Sequence, residues 1–153
     1  MIVDEEKKLT RREYKGILAP IVAVIAVTFT VYHILYISGL VAKAGIYLNI
    51  PQHLAIHLGL ILALVFLLLP AGKKSPMTRL PWYDLVLVIL GVGWNFYIVF
   101  NFNALLGRTI IGAVLNEEII GAWINILIVL EAARRLMGWA VPSAQTPKIA
   151  ARL

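Results

Sequence analysis

The stretch IVLEAARRLMGW, residues 128–139, decides how many times this chain crosses a membrane. It places Glu131, Arg134 and Arg135 inside a segment that otherwise reads as lipid-buried. The mostly apolar, uncharged run before it, Ile119 to Leu130, has 12 residues. At 1.5 Å per helical residue that is about 18 Å, too short to cross roughly 30 Å of hydrocarbon. A span here must therefore continue past the charges through Leu136, Met137 and Trp139 to Val141. Glu131 then lies below the surface, where a charge is costly unless paired. The spacings i, i+3 and i, i+4 bring both arginines within reach of it on one helix face. The arginines can pair with Glu131 and also snorkel toward headgroups, with Trp139 as an interface anchor.

The rest of the chain agrees with a membrane reading. Of 153 residues, 61% are hydrophobic and 14% charged, against about a quarter charged in soluble domains. The apolar residues come in long blocks. Besides 119–141, spans are expected at 17–38, 53–69 and 82–102. Pro20 sits in the first turn of span one. Pro51 and Pro70 bracket span two. The PWYD sequence opens span three: Pro81 suits a helix start, Asp84 complements the helix dipole, and Trp82, Tyr83 and Asp84 fit the headgroup level. The expected fold is one all-α integral membrane domain of four transmembrane helices over 1–153. Residues 1–16 form a basic segment and 142–153 a tail or linker.

Twelve of the fourteen Lys and Arg residues fall before span one, between spans two and three, or within and after the end of span four. Lys43 and Arg108 alone fall on the other side. The positive-inside rule then places both termini in the cytoplasm, and an odd number of spans would destroy the split. The outer loops, 39–52 and 103–118, are mostly apolar and suit short interfacial helices or, for the first, a continuation of span one. Lys43, Asn49, Gln52, Arg108, Glu117 and Glu118 are their receptor-facing candidates. Glu117 and Glu118 also suit the dipole at the start of span four.

Other chemistry finds little support. The net charge of +6 is explained by topology, and its basic residues do not gather on one soluble face, so nucleic acid is not an expected partner. The absence of cysteine removes disulfides, thiolate zinc sites and thiol catalysis. No signal peptide is evident. His53 and His57 have the i, i+4 spacing of paired metal ligands, but lack an acid or Cys beside them; headgroup or partner contact at the outer end of span two fits better. Asn95, Asn101, Asn103 and Asn125 suit interhelical hydrogen bonds, and Gly59, Gly91 and Gly93 suit close packing. No nucleophile–His–acid set or phosphate loop occurs, so no enzyme, cofactor or metal is expected. Glu131 would serve a proton relay if other deep acids continued it. No other acid lies deep in spans one to three, which favours a structural clamp. No internal repeat or pair of broken helices marks a midplane transport site.

PWYD, the Glu117–Gly121 spacing, HLAIHLGLILALVFLLLP followed by a basic loop, and VLEAARRLMGWAVP together resemble a known family. They look like the small, four-helix Q-type part of tripartite ATP-independent periplasmic (TRAP) transporters, and most of all the Q-like N-terminal portion of fused permeases of the TAXI type. The resemblance covers roughly residues 50–142. The sequence departs from the family in the outer loop, where TIIGAVLNEE is longer than usual and Glu117 stands where Asp is commoner. The resemblance implies a scaffold in a bacterial or archaeal cytoplasmic membrane. Its partners would be lipids, a large M-type permease subunit and a periplasmic solute receptor, whose landing platform it helps form. The coupling ion, sodium or proton, would sit on the large subunit. The chain would then be either a split small subunit or a piece of a fused permease. The alternative is a self-sufficient oligomeric channel or carrier.

Overall fold

The computed structural model describes residues 11–12, 14, 16–72 and 75–137. Most of the basic N-terminal segment, Lys73, Lys74, Trp139 and the 142–153 tail lie outside them. The described residues form helices and connecting loops, with no strand among them. The helices are α1 (Leu18–Ile37), α2 (Leu40–Lys43), α3 (Ile50–Leu68), α4 (Trp82–Ile110) and α5 (Asn116–Met137). Three of them, α1, α3 and α4, are long and apolar enough to cross a membrane. The 22-residue α5 is long enough but carries Glu117, Glu118, Glu131, Arg134 and Arg135.

Local chemistry sets the boundaries. Gly39, at φ +72°, adopts the left-handed conformation that ends α1, a region open to glycine at little steric cost. At the start of α3 the Gln52 side-chain oxygen accepts from the Asn49 backbone N–H at 3.0 Å, tying down an otherwise orphaned donor. Pro70 forces Leu69 into an extended conformation, φ −103° and ψ 124°, and α3 stops. Pro81 is likewise extended ahead of α4, with Asp84 in the first turn.

The expected end of α4 near Phe102 is exceeded. The helix runs on to Ile110, so the 103–118 loop contains no separate interfacial helix. No proline or left-handed glycine interrupts 103–110; Gly112, at φ +71°, supplies the stop. Asn101 and Thr109 donate to carbonyls of their own helix, Tyr97 O at 3.0 Å and Leu105 O at 2.8 Å, rather than to the loop. At 29 residues the helix is about 44 Å long, more than the hydrocarbon requires. In the first outer loop the short helix is the four-residue α2.

Helices α3 and α4 form the main antiparallel pair. α5 packs on both, and α1 packs on α3 and α2. The core, Leu62, Val65 and Phe66 of α3 against Ile128 and Ala132 of α5, sits toward the end of the bundle where α3 ends, α4 begins and α5 ends. That geometry places the polar cluster described next.

Candidate functional site

An α-helix leaves its last four carbonyls without intrahelical partners. In an apolar setting each unsatisfied group costs several kcal/mol. At the end of α3 all of them are met from outside the helix. Arg12 Nη1 donates to Phe66 O at 3.0 Å. Tyr14 Oη donates to Leu67 O at 2.6 Å. The Arg12 backbone N–H donates to Leu68 O at 2.8 Å, and Arg135 Nη1 to Leu69 O at 3.1 Å. Beyond the helix, Arg134 Nη2 donates to Ala71 O at 3.0 Å and Arg12 Nε to Pro76 O at 3.2 Å. The short segment before α1 is thus a strap across the end of α3.

The same arginines converge on two carboxylates. Asp84, fully buried, accepts from Arg12 Nη2 through Oδ2 and from Arg135 Nη2 through Oδ1 at 2.7 Å. Glu131 accepts from Arg134 Nε and Nη2, both at 2.7 Å, and from Arg135 Nε at 2.8 Å. The Arg135 guanidinium also lies over the Phe66 ring, 4.8 Å from its centroid, a cation–π contact. Bidentate, charge-assisted pairing of this kind is the strong form of the hydrogen bond. Three guanidiniums face two carboxylates, so the cluster holds one net positive charge and presents no free acid.

The structure brings Glu131, Arg134 and Arg135 together and adds two members that the sequence did not place with them. Asp84 is more than a dipole partner at the headgroup level: it is the buried hub. Arg12 is buried too, at 2% exposure, although it was one basic residue among many in the N-terminal segment. Trp82 is exposed, and Tyr83 is half-buried with its hydroxyl 3.2 Å from Ser75 Oγ.

The outer-loop candidates do not form one cluster. Lys43, Asn49 and Glu117 are exposed. Gln52 Nε2 donates to Val99 O at 3.0 Å, joining α3 to α4. Arg108 pairs with Glu118, whose other oxygen accepts from Leu115 N–H at 3.2 Å, so this pair ties the end of α4 to the start of α5. His53 and His57 meet a residue not expected beside them: His33 of α1, whose Nδ1 lies 3.4 Å from His57 Nδ1. Among the described residues no three His, Asp or Glu side chains are placed to share a metal ion.

Between the two charged ends lies a polar contact. Asn95, buried on α4, donates to Gly91 O at 2.7 Å and to Asn125 Oδ1 of α5 at 3.2 Å. Gly59 gives room for it, since a Cβ there would come within 3.3 Å of Asn95 Cβ; Gly91 packs against Leu62 and Ile128, while Gly93 meets nothing nearby. We expect Asn95→Ala to lower stability by about 0.5–2 kcal/mol, the range for interhelical side-chain bonds in lipid. Unfolding in mixed micelles checks it; an unchanged midpoint would show that the Asn95–Asn125 bond contributes nothing.

The architecture defines an α-helical protein of membrane-spanning character. Comparison of the chain with protein-family models, with curated proteins and with solved structures finds no match.

Proposed function

We propose that this chain is a four-span, non-catalytic scaffold subunit of a TRAP-type secondary transporter, bracing a large M-type permease and helping to seat a periplasmic solute receptor. The observation that carries the reading is the closure of the deep charges on one another. Asp84 and Glu131 are taken up by Arg12, Arg134 and Arg135, and further donors of these arginines meet carbonyls at and just beyond the end of α3. A relay needs an acid that is free to exchange its proton; a clamp needs the arrangement described. The resemblance of LEAARR and PWYD to the Q-type part supplies the family, and here its two motifs meet: Asp84 of PWYD binds Arg135 of LEAARR.

Helix α5 counts as the fourth span in this reading. Its 22 residues cover about 33 Å, and its charges lie toward its ends, where ion pairs hold four of the five. Among the described residues, Arg11, Arg12, Arg79, Arg134 and Arg135 fall at the end of the bundle where α1 begins and α5 ends, with Lys43 and Arg108 opposite. That end is cytoplasmic by the positive-inside rule, in a bacterial or archaeal inner membrane. The outer face, with Lys43, Asn49 and Glu117 exposed on it, meets the receptor; Gln52, Arg108 and Glu118 hold that face together.

The test is co-expression with an M-type partner. The two are expected to purify together, and deleting this chain should abolish uptake. Separate purification with unaffected uptake would overturn the proposal, as would solute or ion flux in liposomes that hold this chain alone, which is the behaviour of an independent channel or carrier. Glu131→Ala should reduce the amount of assembled complex more than it changes solute affinity. A normal amount of complex with altered ion coupling would instead assign Glu131 to a relay.

A further inference from the structure

Helix α1 is held to the bundle in an unusual way. Its apolar face is mostly bare, with Val22 its single buried residue. At its start the Arg12 strap anchors it to the end of α3. Near its other end it meets α3 through one aromatic and imidazole cluster. Tyr36 stacks on His53 with ring centroids 3.5 Å apart and planes 2° from parallel. Tyr32 Oη lies 2.8 Å from His53 Nδ1. His33 and His57 have ring centroids 4.6 Å apart, and Phe29 lies 5.3 Å from the His33 ring and 5.2 Å from the His57 ring. Apolar side chains gain little from leaving lipid for protein, so interhelical hydrogen bonds weigh heavily in such a contact.

We infer that the His33–His53–His57 cluster is a proton-sensitive latch that docks the outer end of α1 on α3 when its imidazoles are neutral and releases it when more than one is charged. One imidazole N–H can donate to the lone pair of the other at the His33–His57 contact, and a single added proton can still be shared. A second proton makes every ring nitrogen of that pair a donor, and the two nitrogens 3.4 Å apart then repel. His53, 5.4 Å from His33 between ring centroids, adds a third like charge to the same space.

Nothing charged stands ready to offset this. The other titratable groups facing the cluster are the phenols of Tyr32 and Tyr36 of α1. From α3 the cluster receives His53 and His57 themselves. Helix α4 reaches this layer through the Val99 carbonyl that accepts from Gln52, and α2 carries the exposed Lys43. Among the described residues no Asp, Glu, Lys or Arg side chain pairs with any of the three histidines. Histidine is the side chain suited to a proton-dependent contact, because it alone changes charge without perturbation between about pH 5 and 8. Release would swing α1 about its strap and carry the 38–49 loop with it, which is the two-state element such a switch needs.

The chain has no cysteine, so spin labels can be placed at will. Labels at Ile37→Cys, exposed at the outer end of α1, and at the exposed Phe100→Cys, in lipid nanodiscs, report the distance between α1 and α4. A second control pair, Phe100→Cys and Trp123→Cys, reports α4 against α5. The expected result is one distance for the α1–α4 pair at pH 8 and a second, longer population at pH 5, with the α4–α5 pair unchanged. Replacing both His33 and His57 with glutamine should remove the pH 5 population. An identical α1–α4 distribution at the two pH values overturns the latch. So does a low-pH population that persists in the double glutamine variant, or an equal shift in the control pair.

Discussion

Asp84→Asn is expected to be the most damaging single conservative substitution in the chain. It keeps the shape of the side chain but removes the carboxylate that Arg12 and Arg135 share. The side chains of Arg12 and Asp84 are fully buried and that of Arg135 is 1% exposed. Removing one partner from a buried pair typically costs about 3–5 kcal/mol, because the remaining charge is stranded. Replacing a whole buried ion pair by apolar residues is often harmless elsewhere. Here that remedy fails, because Arg12 and Arg135 also cap Phe66 O and Leu69 O, which an apolar side chain would leave bare. Equilibrium unfolding of the variant in mixed micelles measures the loss. Glu131 and Arg134, at 28% and 32% exposure, form the contrasting pair: solvent screening limits it to about 1 kcal/mol or less. Equal losses for Asp84→Asn and Arg134→Ala would show that burial does not set the energetics of the cluster.

The second large effect is expected at Gly121. A Cβ on this residue would lie 2.0 Å from Trp94 Cζ3 and 2.1 Å from Cη2, far inside van der Waals contact. Gly121→Ala must therefore push the indole off α5. That ring is also stacked on Tyr97, with centroids 5.2 Å apart. Overpacking of this kind costs about 1–3 kcal/mol. A double-mutant cycle isolates the cause. In a Trp94→Ala background the methyl group enters empty space, and Gly121→Ala should then be nearly neutral. The same penalty in both backgrounds would place its origin in the α5 backbone and not in the Gly121–Trp94 contact.

The clamp and the helix contacts differ in how far they could be read along the chain. Glu131, Arg134 and Arg135 lie within one turn, so helical periodicity alone brings them together. Gly59 and Gly91 carry a local signal, small residues in apolar helices, and both meet the neighbouring helix; Gly93 carries the same signal and meets nothing. The signal for Asp84 was present but incomplete. An acid at the mouth of an apolar helix needs a cation, yet its sequence neighbourhood offers Lys73, Lys74 and Arg79 as readily as Arg12 or Arg135. The histidines behave likewise: His53 and His57 pair by spacing, whereas His33 joins them only because α1 lies against α3. The end of α4 lies beyond the expected Phe102 for a local reason: no proline or left-handed glycine stops the helix before Gly112, and Asn101 and Thr109 bond back to their own helix.

Hydropathy by itself determined that the chain is helical and apolar enough to cross a membrane, and proline and glycine determined where most helices begin and end. These are properties of a residue and its near neighbours, and the absence of water to satisfy a bare backbone makes them nearly obligatory. Which arginine enters the core is a different kind of question. Arg12 and Asp84 are 72 positions apart, and Arg135 and Asp84 are 51 apart. Their meeting depends on the antiparallel packing of three helices and on four orphaned carbonyls at the end of α3, which no local pattern encodes. Only the tertiary structure decided it, because a buried charge is stable wherever enough partners converge, and convergence is a property of the packed bundle.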